Sequence, residues 1–129
     1  MIVDSSAIVA IVLREPGWEK VVARLGAEAT PAIGAPTLVE TGLVLTAKIG
    51  EKARIVLSRL LQESGLTVIP FAEEHWRIAV DAFARFGKGR HAAALNFGDC
   101  LTYAVARLAG QPLLFVGDDF SKTDLPPVR

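Results

Sequence analysis

At 129 residues with 51% hydrophobic side chains, the chain has room for one compact domain with a real core and is too short for two, so residues 1–129 are expected to form a single domain. Lys plus Arg and Asp plus Glu number 14 each, which removes any electrostatic vote from overall charge and leaves nucleic-acid binding to local patches. The longest apolar runs, residues 7–13 and 113–116, are far shorter than the roughly 20 residues a membrane-spanning helix needs, so no membrane partner is expected.

Taken in chain order, Met1 to Val3 reads as a short buried strand, with no basic leader or cleavage pattern around it. Ser5 to Leu13 continues as a helix with a polar cap at hand, broken by Arg14-Glu15-Pro16-Gly17. Apolar residues at 18, 21, 22 and 25 predict an amphipathic helix to Ala27, and residues 30–33 predict a second strand. Pro36 suits the first turn of a helix through Ala47, because its missing N–H has no helical partner there. Apolar positions 53, 56, 57, 60 and 61 predict a helix over 51–63, and 67–69 a third strand. A fifth helix over 73–86 stops at Gly87-Lys88-Gly89; a sixth spans 95–109; a strand covers 113–116, and the tail 125–128 adds an edge strand. Trp18 and Trp76 fall on apolar stripes and are read as packing, and Cys100, the single cysteine, as a structural thiol suited to a reducing cytoplasm.

Uniformly apolar strands alternating with helices predict an α/β fold: a central, mainly parallel sheet of four to five short strands with helices on both faces. In such sheets ligands bind at the carboxyl ends of the strands. Asp4 and the pair Asp118-Asp119 directly follow strands and so fall on that edge.

Each acid near that edge has a structural reading as well. Asp4 suits a helix cap, Asp99 the first turn of a helix capped by Asn96, and Asp118 or Asp119 a turn after Gly117. Glu40 fits such a reading least, because Leu43 and Val44 follow it at i+3 and i+4 and place it beside the expected core stripe. Four carboxylates in apolar segments, with no matching buried cations, are explained together if the fold gathers them around a divalent ion. Oxygen-only ligands point to Mg²⁺ or Mn²⁺.

The ordered set Ile2-Val3-Asp4-Ser5-Ser6-Ala7, Leu38-Val39-Glu40, Phe97-Gly98-Asp99 with Tyr103-Ala104, and Leu114-Phe115-Val116-Gly117-Asp118-Asp119-Phe120 resembles the PIN-domain ribonucleases over essentially the whole chain. More narrowly it resembles the VapC toxins of bacterial toxin–antitoxin pairs. The resemblance implies a PIN-like fold, a Mg²⁺ or Mn²⁺ site and endonucleolytic cleavage of RNA. It implies Asp4 and Asp99 as direct metal ligands, Glu40 as a ligand through water or a second ion, and Asp119 as the fourth acid, with Asp118 and Asp124 as alternatives. Ser6 matches a hydroxyl that steadies a metal-bound water. It also implies a VapB-like antitoxin whose tail lies in the acidic groove, a homodimer built on the first and third to fourth helices, and a cytoplasmic location.

The densest basic segment, Arg85 to His91, leads toward Asp99, so Lys88 and Arg90, with His91 beside them, are the expected RNA contacts; Lys48, Lys52 and Arg54 extend the patch. Two rival enzyme readings also use an Asp after a parallel strand. A haloacid-dehalogenase-like phosphatase needs a second acid where Ser6 stands, and a receiver domain needs an acid after the 67–69 strand. A PIN-like module that binds RNA or protein without cutting is the non-enzymatic alternative.

Overall fold

The computed structural model describes residues 1–126. Four short strands, β1 (Ile2–Val3), β2 (Ala32–Gly34), β3 (Thr67–Ile69) and β4 (Leu113–Leu114), form a sheet in the order β3-β2-β1-β4. Every pairing is parallel, with Ile2 opposite Ala32 and Leu113, and Ile33 opposite Val68. Successive residues of a strand face opposite sides of a sheet, and this chain uses both sides. Ile2, Ala32 and Leu113 join one apolar cluster, while Val3, Ile33 and Leu114 join another.

Helices cover both faces. On the Ile2 side lie α5 (Glu73–Phe86) and α6 (Phe97–Ala109), contributing Ala82, Phe86, Tyr103 and Val105. On the Val3 side lie α1 (Ser5–Leu13), α2 (Trp18–Gly26), α3 (Ala35–Ile49) and α4 (Ala53–Ser64), contributing Ile8, Leu25, Leu45 and Leu57. Two details draw α3 and α6 together over the carboxyl edge of the sheet. Gly34 leaves space for Val105, whose Cγ2 would stand 2.8 Å from a Cβ at that position. Buried Thr37 and Thr102 share a hydrogen bond of 2.9 Å between α3 and α6.

Several expected boundaries move for local reasons. β2 starts after Pro31, which has no N–H to give a ladder. Gly50, at φ 76, ends α3, so a 3₁₀ turn at Gly50–Lys52 precedes α4. Leu95 forms a bridge with Gly87 instead of opening α6. β4 loses its last two residues because Val116 N–H turns to the Ser6 hydroxyl. The four-strand count falls at the low end of the expectation; Leu125 and Pro126 are in no strand, and Pro127 and Val128 lie outside the described residues. Trp76 does not pack in the core: it is 51% exposed on α5, in an apolar surface with Val80, Phe83 and Phe97. No helix among the described residues is long and apolar enough to cross a membrane.

Candidate metal centre

Asp4 ends β1 and caps α1. Its Oδ2 accepts hydrogen bonds from Ser6 N–H at 3.1 Å and from the Ser6 hydroxyl at 2.6 Å, as a cap should. The residue is only 4% exposed, and its other oxygen, Oδ1, is buried with no hydrogen-bond partner among the described residues. A buried carboxylate oxygen left bare costs free energy that capping alone does not return. The Ser6 hydroxyl oxygen also accepts from Val116 N–H at 3.0 Å, tying the start of α1 to the exit of β4.

Glu40 reaches the same place from α3, but not for the reason its apolar neighbours suggest. Val39, Leu43 and Val44 are exposed; the core stripe of α3 is Thr37, Thr41 and Leu45. Glu40 lies at the edge of that stripe, half-buried and hydrogen-bonded to the Ser5 side chain. Burial raises its pKa above the ordinary value, the Ser5 bond pulls it down, and the Asp4 charge pushes it up again. Its carboxylate rests against Gly98, where a Cβ would stand 2.8 Å from Glu40 Cδ.

Asp99 occupies the third position of α6 in a reciprocal cap with Asn96. Asn96 Oδ1 accepts from Asp99 N–H at 2.9 Å, and Asp99 Oδ2 accepts from Asn96 N–H at 3.0 Å. Burial is the largest cause lifting its pKa to about 6; the Asn96 bond opposes, and the charges of Asp4, Asp119 and Glu40 add to the rise. Three separate acids are thus felt at Asp99, and Asp119, in the turn after β4, is one of them. Asp118 is exposed, and its carbonyl accepts the Ser121 hydroxyl at 2.6 Å. Asp124 is engaged elsewhere: it accepts from Tyr103 Oη and Arg85, and Arg107 stands 3.5 Å away.

The acids whose charges reach Asp99 are therefore Asp4, Glu40 and Asp119, the last exposed like Asp118. The ion pairs found among the described residues run elsewhere, through Arg77–Glu73, Arg85–Asp81, the arginines on Asp124 and the amino terminus on Glu28. Among the described residues, no three Asp, Glu, His or Cys side chains close into a ready-made cage. An open, oxygen-only donor set with one buried bare oxygen fits a hard cation such as Mg²⁺, which keeps several waters and uses one or two carboxylates.

The basic loop is ordered by its own backbone. Lys88 N–H donates to Leu95 O and Leu95 N–H to Phe86 O, both at 2.9 Å. Lys88 is exposed, and the Arg90 guanidinium lies 5.7 Å from the Phe83 ring centre. His91 has a structural task, accepting from Ala93 N–H on Nδ1 at 3.0 Å with its ring edge-on to Phe86. Sequence reasoning missed Ser5, the bond that Asn96, already read as the cap, gives back to Asp99, and Gly98. The Asn96-to-Asp99 spacing was the available signal for the second; Ser5 and Gly98 matter only through Glu40, which approaches from another helix.

A PIN-domain family profile matches residues 1–125. The chain belongs to the PIN-domain family. Among curated relatives it is 53% identical to ribonuclease VapC36 of Mycobacterium tuberculosis (strain ATCC 25618 / H37Rv) over 126 residues, covering 97% of this chain and 91% of that one. It is 35% identical to ribonuclease VapC of Mycolicibacterium smegmatis (strain ATCC 700084 / mc(2)155), over all of both chains. Among solved structures it resembles VapC20 of Mycobacterium tuberculosis, described as a Sarcin-Ricin loop cleaving toxin. That likeness has a TM-score of 0.80 at 19% identity over 99% of this chain and 98% of the other, and it shows the fold. Family membership places the chain among the VapC ribonucleases of the PIN domain and sets aside the phosphatase and receiver readings.

Proposed function

We propose that residues 1–129 act as one VapC-type PIN domain, an endoribonuclease toxin that hydrolyses RNA phosphodiester bonds at the Asp4, Glu40, Asp99 and Asp119 cluster. The relatives' names support RNA as substrate. The observation that carries the site is the bare buried Oδ1 of Asp4, a residue whose charge helps to raise the pKa of both Glu40 and Asp99. In this reading Asp4 and Asp99 would hold Mg²⁺, with Mn²⁺ as a substitute, and Glu40 would bind through water or a second ion. When bound, the ion offsets the negative charge that builds on the reacting phosphate and provides a water-derived nucleophile at neutral pH.

The protein's own groups supply the rest. Ser6 fixes the rotamer of Asp4 by giving its proton to Oδ2, so that Oδ1 is the free face. Ser5, the residue before Ser6 in α1, holds Glu40 by a side-chain hydrogen bond. The Asn96 cap orients Asp99, leaving its second oxygen for the cluster. Lys88 and Arg90 meet the RNA backbone, and His91 shapes their loop while offering its remaining ring nitrogen. The chain works in the cytoplasm with a VapB-type antitoxin whose basic side chain replaces the metal's charge in the acidic groove. Self-association completes the proposal: α1 is largely packed within its own chain, whereas α3 and α4 leave Val39, Leu43 and Ile55 exposed for it.

Incubation of the purified protein with a mixed RNA pool tests this. Cuts are expected in Mg²⁺ or Mn²⁺ that EDTA stops and that a folded Asp99→Asn variant does not make. Parental cutting by that variant would overturn the assignment.

A further inference from the structure

The segment that follows β4 must be held in place for Asp119 to face the cluster, and it has two anchors. Phe120 is 4% exposed, with its ring 5.4 Å from that of Phe115. Asp124 is the other. Its Oδ1 accepts from Tyr103 Oη at 2.5 Å, its Oδ2 accepts from Arg85 Nη2 at 3.1 Å, and Arg107 Nη1 stands 3.5 Å away. Between the anchors the chain is wound tightly: Lys122 N–H reaches Asp119 O at 3.4 Å, and the Thr123 hydroxyl reaches Phe120 O at 2.6 Å.

The partners of the two acids share one helix face. Asp99, Tyr103 and Arg107 follow one another at intervals of four along α6, a spacing that stacks side chains on a single stripe. Asp119 is felt at Asp99, the first of these positions, and Asp124 binds the second and third. The 119–124 segment thus runs along the stripe. Tyr103, 1% exposed, gives its distal end a fixed point.

We propose that Asp124 is a positioning residue for RNA cleavage: clasped by Tyr103, Arg85 and Arg107, it holds the 119–124 segment along α6 so that Asp119 faces Asp99. This rests on reading the acid cluster as a metal centre. With Asp119 as a further carboxylate toward the ion, the clasp supports a ligand from one step away; loss of groups that orient a ligand typically costs about 10-fold or more in metal affinity.

The test follows the Mn²⁺ concentration that gives half of the metal-dependent rise in melting temperature, with RNA cleavage measured in parallel, for the parent, Asp124→Ala, Asp119→Asn and the double variant. Asp124→Ala is expected to raise that concentration about 10-fold while cleavage at saturating Mn²⁺ stays near the parental rate. The double variant should match Asp119→Asn within about 2-fold, because the clasp acts only through Asp119. Multiplying penalties, or an unshifted Mn²⁺ midpoint in Asp124→Ala, would overturn the proposal. If Asp124→Ala does not fold, Asp124→Asn replaces it; this variant keeps an acceptor for Tyr103 and loses the charge the arginines meet, so a smaller shift in the same direction is expected and no shift is contrary. Asp4→Asn, run alongside, separates the two readings. If it retains the full Mn²⁺-dependent rise, the metal centre itself is wrong; if it loses the rise while Asp124→Ala keeps it unshifted, only the clasp is wrong.

Discussion

The carboxylate of Glu40 fills the space that a side chain on Gly98 would take: a Cβ there would stand 2.8 Å from Glu40 Cδ and 2.9 Å from Oε1. Gly98 and Asp99 are adjacent in the first turn of α6, so the residue that admits one acid precedes the residue that supplies another. Exchanging Gly for Ala within a helix ordinarily stabilises it by up to about 1 kcal/mol. Here the methyl group must push Glu40 out of the cluster. Gly98→Ala is therefore expected to melt at or slightly above the parent in EDTA and to lose about 10-fold or more in RNA cleavage. Adding Glu40→Gln should cost little beyond that, and cleavage assays on the single and double variants check it.

The pKa of Asp99 gives the metal-free protein a stability slope of known sign. Its ordinary value of 3.8 rises to about 6 in the fold, so the folded state holds the proton more tightly than the unfolded chain. The stabilising contribution is complete below 3.8 and is lost as pH rises through about 6. Glu40, also raised, adds with the same sign. Asp124, lowered chiefly by its Tyr103 and Arg85 bonds against the opposing effect of burial, acts in the opposite sense and below its ordinary 3.8. Denaturant titrations in EDTA should show the parent losing stability between about pH 4 and 6, and Asp99→Asn losing clearly less. Equal slopes would remove Asp99 from the cluster.

Much of this site is readable before any fold is known, because Asp4 and Asp119 follow strands and a parallel sheet sends such positions to one edge. Asp99 is readable too, three residues after Asn96 at the start of a helix. Glu40 does lie beside Asp4 and Asp99, but for another reason than the sequence suggests: the apolar Val39, Leu43 and Val44 look like core, yet α3 buries Thr37, Thr41 and Leu45 instead, and hydroxyls bonded to backbone or to each other pass for surface in a sequence. For the fourth acid the sequence favours Asp119 only by resemblance and leaves Asp118 and Asp124 open, since the three differ in what faces them across space. Gly98 and Ser5 were equally hidden, as their roles exist only where two helices meet.

The basic loop makes a prediction of its own. Lys88 is exposed and Arg90 rests beside Phe83, with neither in an ion pair among those described. Each phosphate contact to single-stranded RNA contributes about 0.7 to the slope of log affinity against log salt, so Lys88→Ala with Arg90→Ala should reduce that slope by about 1.4 and weaken binding at low salt. The check is a binding titration of catalytically silent Asp99→Asn protein across salt concentrations, with and without the two changes. An unchanged slope would leave the loop a structural connection.

Melting curves of the parent and Asp99→Asn, each in EDTA and in Mn²⁺, show whether a divalent ion holds the mutually repelling carboxylates of this fold together. A ligand bound only by the folded state stabilises it by about 2.7 kcal/mol at a hundredfold excess over its dissociation constant, on the order of 10 °C for a chain of this size. The parent should show that rise. Asp99→Asn, relieved of repulsion and short of a ligand, should melt higher than the parent in EDTA and gain much less from Mn²⁺. A parent indifferent to metal, together with a variant that melts lower in EDTA, would contradict the account and leave Asp99 as a capping residue of α6 alone.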